Sequence, residues 1–124
     1  MKIQELLKNT SIQVENGINT QIPPYASIGT RGQGILHDVD YKILKRLFGK
    51  PHDGGDGKTR KEWCISIDGV VCTVYDWKQG PPYGEIPLKD ATWSVGGSHP
   101  ICQRLVQGVI DSYRINGWEG ENLD

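Results

Sequence analysis

The chain has 124 residues, enough for one domain with a single core that needs no disulfide or metal staples. Its 14 basic residues balance 15 acidic ones, which argues against bulk binding of DNA or RNA but leaves room for a small anion held by local charges. The 16 glycines and 7 prolines make the chain loop-rich, while 4 tryptophans point to a folded domain rather than a disordered one.

Its 3 cysteines, Cys64, Cys72 and Cys102, show no CxxC spacing, so neither a zinc site nor a disulfide framework is expected. They read as buried small hydrophobes in a reducing compartment. The opening MKIQELLKN has a basic start, but Gln4 and Glu5 break its apolar run, so no secretory leader is expected. No apolar run approaches membrane-spanning length, and the expectation is a soluble cytoplasmic protein with no cofactor.

In chain order, residues 3–7 read as a short helical turn. Residues 11–15 and 18–22 alternate polar and apolar side chains around Asn16-Gly17, a hairpin turn signal. Residues 1–24 are therefore expected to form a hairpin arm, either an ordinary edge hairpin or an arm reaching a partner subunit. After Pro23-Pro24, residues 25–30 read as a strand leading into the glycine-rich stretch 29–34. That stretch lacks the spacing of a dinucleotide fingerprint. A loop with three glycines beside Arg31 either brings backbone amides and a guanidinium to a phosphate or is a plain turn with a solvated arginine.

A first helix is expected over residues 38–48, capped by Asp38. Ile43, Leu44, Leu47 and Phe48 would face the core, Lys42, Lys45 and Arg46 the solvent, and Gly49 would end it before Pro51. Residues 51–60 end in Gly57-Lys58-Thr59, but His52 stands where a P-loop needs glycine and the element order is reversed. The stretch reads as a flexible connector.

Glu62 to Trp77 is the strongest signal in the chain, two β-rich runs about Asp68-Gly69. A two-residue turn there pairs Ile67 with Val70, Ile65 with Cys72 and Trp63 with Val74. One face then carries Trp63, Ile65, Ile67, Val70, Cys72 and Val74. The other carries Glu62, Cys64, Ser66, Val71, Thr73, Tyr75 and Trp77, and is a face that a ligand or another chain can cover. Residues 78–90 read as a loop with Tyr83 at its tip, and residues 92–95 as a short strand.

A second helix to residue 115 follows Gly96-Gly97-Ser98-His99-Pro100, with Cys102, Leu105, Val106, Val109, Ile110 and Tyr113 buried and Arg104, Gln107, Asp111 and Arg114 outward. Strand, Gly-Gly, Ser98 and helix start make either a phosphate cradle reinforced by His99 or a tight turn in which Ser98 caps the helix. Residues 117–124 are expected to fray. The whole reads as a single α+β domain, a small antiparallel sheet built from hairpins and packed with two helices. No paired carboxylates, Ser-His-Asp arrangement or metal spacing emerges, so no enzyme is expected.

Several short motifs fall in a recognisable order: Ile28-Gly29-Thr30-Arg31-Gly32, Leu47-Phe48-Gly49-Lys50-Pro51, Asp56-Gly57-Lys58, Glu62-Trp63, Thr73-Val74-Tyr75-Asp76-Trp77-Lys78, and Trp93-Ser94-Val95-Gly96-Gly97-Ser98. Over residues 25–115 this order resembles the phage-encoded Thoeris anti-defence proteins of the first type. The resemblance implies a sponge, which binds without cleaving it the glycocyclic ADP-ribose that bacterial TIR-domain enzymes make, and so blocks signalling in the host bacterial cytoplasm. It implies a homo-oligomer, dimer or hexamer, with nucleotide pockets between subunits, and in some members a second pocket for cyclic oligonucleotides. Its motif transfers onto Arg31, Tyr75, Trp93, Gly96 and Gly97.

Residue chemistry adds further candidates. Phosphates call for Arg31, Gly97, Ser98, His99, Arg104 and Arg114, and adenine for Tyr75, Trp77, Trp93 or Tyr83. Tyr113 joins them from its place on the second helix. Two other classes compete, a protein-binding inhibitor of a host defence complex, such as an anti-CRISPR, and a small enzyme that degrades the nucleotide.

Overall fold

The computed structural model describes residues 18–20, 22, 29–54 and 58–115. Several expectations lie outside those residues: the helical turn at 3–7, the Asn16-Gly17 turn, strand residues 25–28, Asp56-Gly57 and the tail 117–124.

The hairpin is the spine of the molecule. Strands β4 (Thr59–Ile67) and β5 (Val70–Trp77) pair antiparallel with Ile67 opposite Val70, Ile65 opposite Cys72 and Trp63 opposite Val74, the expected register. Asp68 and Gly69 take φ of 53° and 80°, the positive values a mirror-image turn requires. Among the described residues the sheet around this hairpin has six strands, β1 (Ile18–Asn19), β2 (Arg31–Ile35), β3 (His52–Asp53), β4, β5 and β6 (Ser94–Gly97), in the order β1-β4-β5-β6-β2 with β3 beside β4. The outer edge of β4 is covered in two pieces, by β1 at Ser66–Ile67 and by β3 at Lys61–Glu62.

Helices α1 (Tyr41–Phe48) and α2 (Cys102–Ile115) complete the α+β domain. Leu44, Leu47 and Phe48 of α1 and Cys102, Leu105, Val106, Val109, Ile110 and Tyr113 of α2 join the core face of the hairpin in one buried cluster, so both helices cover the same side of the sheet. Side-chain amides fix α2 laterally: Gln103 donates to the Ile35 carbonyl at 2.9 Å, and Gln107 donates to the His37 carbonyl and accepts from the His37 amide.

The lower end of the hairpin carries a buried ion pair. The β4 ladder shifts register between Thr59 and Glu62, which frees the Arg60 and Lys61 amides from the β5 ladder. Both donate to Oδ1 of fully buried Asp76, at 2.8 and 3.0 Å, while Arg60 Nε donates to Oδ2 at 2.7 Å. The bulge and the carboxylate thus satisfy each other.

Five local expectations need correction. The glycine-rich stretch is the edge strand β2, bulged between Gly32 and Gly34, because pairing with β6 overrides its low strand propensity. Helix α1 starts at Tyr41, with Asp40 rather than Asp38 as its cap: Asp40 Oδ1 accepts from the Ile43 amide at 2.9 Å, whereas Asp38 sits at φ 56°. Gly49 ends α1 as expected, at φ 83°. Part of the 51–60 connector is strand β3. The last strand is Ser94–Gly97 rather than residues 92–95, and α2 begins at Cys102. The loop after β5 holds two short 3₁₀ turns, Pro81–Tyr83 and Leu88–Asp90, and is fastened by buried Gln79, which donates to the Thr92 carbonyl and accepts from its amide.

Candidate functional site

Strand alternation decides which side chains reach the sheet face away from the helices. From Val95 in the core, Trp93 and Gly97 fall on the core face, and Ser94 and Gly96 on the other. The register then sets two rows across the sheet. One runs His52, Glu62, Tyr75, Ser94 and Ile35; the other runs Cys64, Thr73, Gly96 and Gly32.

Between these rows lies a cleft of about 490 Å³, within the range of small-ligand sites. Its floor is glycine. A Cβ on Gly96 would lie 2.6 Å from Thr73 Oγ1, 3.1 Å from the Arg31 carbonyl and 3.3 Å from Tyr75 Cε1. A Cβ on Gly32 would reach only ordinary contact, 3.5 Å from the Tyr75 hydroxyl. Thr30, Arg31 and Gly34 line the β2 side, and Thr59, Glu62 and Trp77 the β4–β5 side.

The aromatic end is ordered by charge. Tyr75 and Trp77 meet edge-on, with ring centroids 6.3 Å apart at 84°. Lys58 Nζ and Lys78 Nζ stand 5.6 and 5.5 Å from the Trp77 ring, and Lys78 also lies 5.9 Å from the Tyr83 ring. Burial, and then the charge of Glu62, push the Tyr75 phenol above its usual range, so it stays a neutral hydroxyl near neutral pH. His52 Nε2 lies 3.5 Å from Glu62 Oε2 behind the cleft. These groups offer hydroxyls at Thr73, Tyr75 and Ser94 and a planar face for stacking at Trp77, with Arg31 at the β2 edge of the cleft. Among the described residues no cluster of three or more His, Cys, Asp or Glu is placed to hold a metal ion.

Of the residues singled out from sequence, the cleft brings together Arg31, Tyr75, Trp77 and Gly96. The others lie elsewhere. Trp93 is 1% exposed and stacks on Tyr41 at 5.7 Å and 11°, so it presents no face to a ligand. Tyr113 is a core residue under the sheet. Gly97 faces α2, and a Cβ there would collide with Cys102 Sγ. Arg104 and Arg114 are exposed on α2, Arg114 3.5 Å from Asp38.

The strand–helix junction is a tight turn with three of its amides already used. The Ser98 amide donates to the Val71 carbonyl at 3.0 Å, Ile101 to His99 Nδ1 at 3.0 Å and Cys102 to the His99 carbonyl at 3.1 Å. Ser98 therefore does not cap the helix, and His99 folds back onto its own turn. Thr59, Glu62, Thr73 and Ser94 line the cleft without having been named as ligand contacts, whereas Thr30, Gly32 and Gly34 come from the glycine-rich stretch read as one possible phosphate loop. For Glu62 and Thr73 the signal was present, since the hairpin register sets them on the face of Tyr75 and Trp77.

A second hollow of about 320 Å³ lies against α1, lined by Tyr41, Lys45, Gly49, Lys50, Pro51 and Lys61. Lys45 Nζ lies 4.5 Å from the Tyr41 ring centroid, and Lys61 Nζ donates to Asp53 at 2.9 Å. No protein-family model, curated protein or solved structure matches the chain.

Proposed function

We propose that this chain is a non-enzymatic phage sponge that binds and sequesters glycocyclic ADP-ribose in the cleft over β2, β4, β5 and β6, and so blocks Thoeris signalling in the host cytoplasm. The carrying observation is the cleft, where an arginine, a glycine floor and an aromatic pair line one space of nucleotide size. The motif resemblance supplies the identity of the ligand. A sponge must hold its signal at nanomolar levels, about −12 kcal/mol, so phosphate, hydroxyl and base contacts must act together. The cleft is open on one side, which fits a homo-oligomer, dimer or hexamer, that closes it with a neighbouring subunit. We assign the lysine-lined hollow beside Tyr41 as the second pocket, for a cyclic oligonucleotide.

The test is to incubate the purified protein with glycocyclic ADP-ribose, remove free ligand, denature by heat and identify the released compound by mass spectrometry. Intact ligand from the native protein, and little from Arg31→Ala of unchanged melting temperature, is the expected result. A changed mass means an enzyme and overturns the sponge. A second reading, a protein-binding inhibitor of a host defence complex, draws on the exposed Trp77, Tyr83 and Ile86. Absence of bound nucleotide together with a stable complex with a host protein favours that reading instead.

A further inference from the structure

Tyr75 does not stand up from the sheet but lies across it. Its strand, β5, is separated from β2 by β6. Yet a Cβ on Gly96 of β6 would come within 3.3 Å of Tyr75 Cε1, and a Cβ on Gly32 of β2 within 3.5 Å of the Tyr75 hydroxyl. The side chain therefore passes over β6 where glycine leaves it room, and delivers the phenol oxygen to β2. There it borders an open notch, the space that a side chain on residue 32 would fill. Beyond the chain neighbours of Gly32, only the Tyr75 oxygen among the described residues comes within 4 Å of that position. Tyr75 is half-buried, and its hydroxyl makes no hydrogen bond among the described residues. A half-buried O–H without an acceptor is unfavourable until a ligand supplies one. Burial, and then the charge of Glu62, hold the proton on the phenol, so near neutral pH it is a donor.

Resting on the nucleotide reading above, we infer that the notch over Gly32 is the phosphate subsite of the cleft, and that Tyr75 donates its phenolic hydrogen to a phosphate oxygen seated there. Glycine lets a tetrahedral group come down onto the strand, and an oxygen near the vacant Cβ position lies within reach of the phenol. A donor spent on a charged acceptor is worth about twice one spent on a neutral acceptor, so a phosphate gains most from this idle O–H. Arg31, next to Gly32 in the chain, brings positive charge to the same edge of the cleft. The other cations near the cleft, Lys58 and Lys78, stand at its far rim against the Trp77 ring, and make that rim the competing place for the phosphate.

The experiment is phosphorus nuclear magnetic resonance of glycocyclic ADP-ribose bound to the full chain, to Tyr75→Phe and to Lys78→Asn, with calorimetric titration of each. Tyr75→Phe keeps the ring and removes a hydroxyl without a protein partner, so its melting temperature should be unchanged. Asparagine tolerates the positive φ of 53° at residue 78, so Lys78→Asn should fold as well. Tyr75→Phe is expected to weaken binding by about ten- to hundredfold, as loss of a hydrogen bond to a charged group does. It should also move a bound phosphorus resonance toward its position in the free ligand, while Lys78→Asn leaves that resonance in place. Unchanged affinity in Tyr75→Phe overturns the assignment, and so does a lowered melting temperature, since the hydroxyl would then serve the fold. A loss of affinity with the resonance unmoved overturns it too, because the phenol would meet the base or a ribose. A resonance moved by Lys78→Asn and not by Tyr75→Phe puts the phosphate at the lysine rim. Each of these leaves the sponge standing. No binding by the full chain overturns the sponge, and this assignment with it.

Discussion

Asp76 is the residue on which the lower half of the hairpin depends. Its carboxylate is fully buried and accepts from two backbone amides and one guanidinium, so removal leaves all three donors without it. Asp76→Ala is expected to cost about 3–5 kcal/mol in chemical denaturation, the range for breaking a buried pair by deleting one partner. Asp76→Asn keeps a carbonyl for the Arg60 and Lys61 amides and should cost less, and the difference measures the charged part of the interaction. At this scale the sequence was partly legible. Glu62 and Thr73 follow from hairpin parity, and counting on from Val95 places Trp93 in the core. Hairpin parity sets Asp76 on the core face with Val74, but the partners that make its burial tolerable, the Arg60 and Lys61 amides freed by the β4 bulge, were not legible, because no local signal marks that bulge.

At the scale of elements, the turn chemistry of Asp68-Gly69 was enough to fix the β4–β5 register, since positive φ at two consecutive residues admits few alternatives. The stripe on α2 was legible for the same kind of reason, as helical spacing separates six buried residues from the outward ones. β2 was not: Arg31-Gly32-Gln33-Gly34-Ile35 has no apolar alternation, and only the long-range partner β6 makes it a strand. The glycines of that pair of strands also decide how α2 seats. A Cβ on Gly97 would lie 2.8 Å from Cys102 Cβ and 2.9 Å from the Val71 carbonyl, neither of which is a flexible chain end. Gly97→Ala is expected to destabilise by about 1–3 kcal/mol in chemical denaturation, as overpacking does. An equal change on exposed Ser98 should be close to neutral.

For the whole molecule, the three thiols report on integrity of the two layers. All are buried and unbridged, Cys64 on the cleft side of the sheet and Cys72 and Cys102 between sheet and helices. Burial, and secondarily Glu62, push Cys64 up to about 11 from 9.0. Burial raises Cys72 further, with the Cys102 thiol adding to it. A raised pKa means folding favours the neutral thiol, so this stability is full below pH 9 and drains away as pH rises through about 11. The raised Tyr75 phenol acts in the same direction. Native protein at pH 8 is expected to react with a thiol-titrating disulfide only on the timescale of unfolding, while denatured protein yields all 3 thiols at once. Rapid reaction of one thiol in the native state would mean that one layer opens locally.

The glycine floor of the cleft offers a tool for genetics. Gly32 has an ordinary backbone, and a methyl group there would touch only the Tyr75 hydroxyl at 3.5 Å, so the fold has room for it. The same methyl occupies space a ligand would need. On the proposed reading, Gly32→Ala is a separation-of-function allele: a protein of unchanged melting temperature and expression that no longer retains the nucleotide. If the protein is the phage sponge proposed above, an infection assay with such an allele compares a phage that lacks the protein with one that carries it with the cleft plugged. Under that proposal, equal loss of protection in the two would tie the phenotype to the cleft.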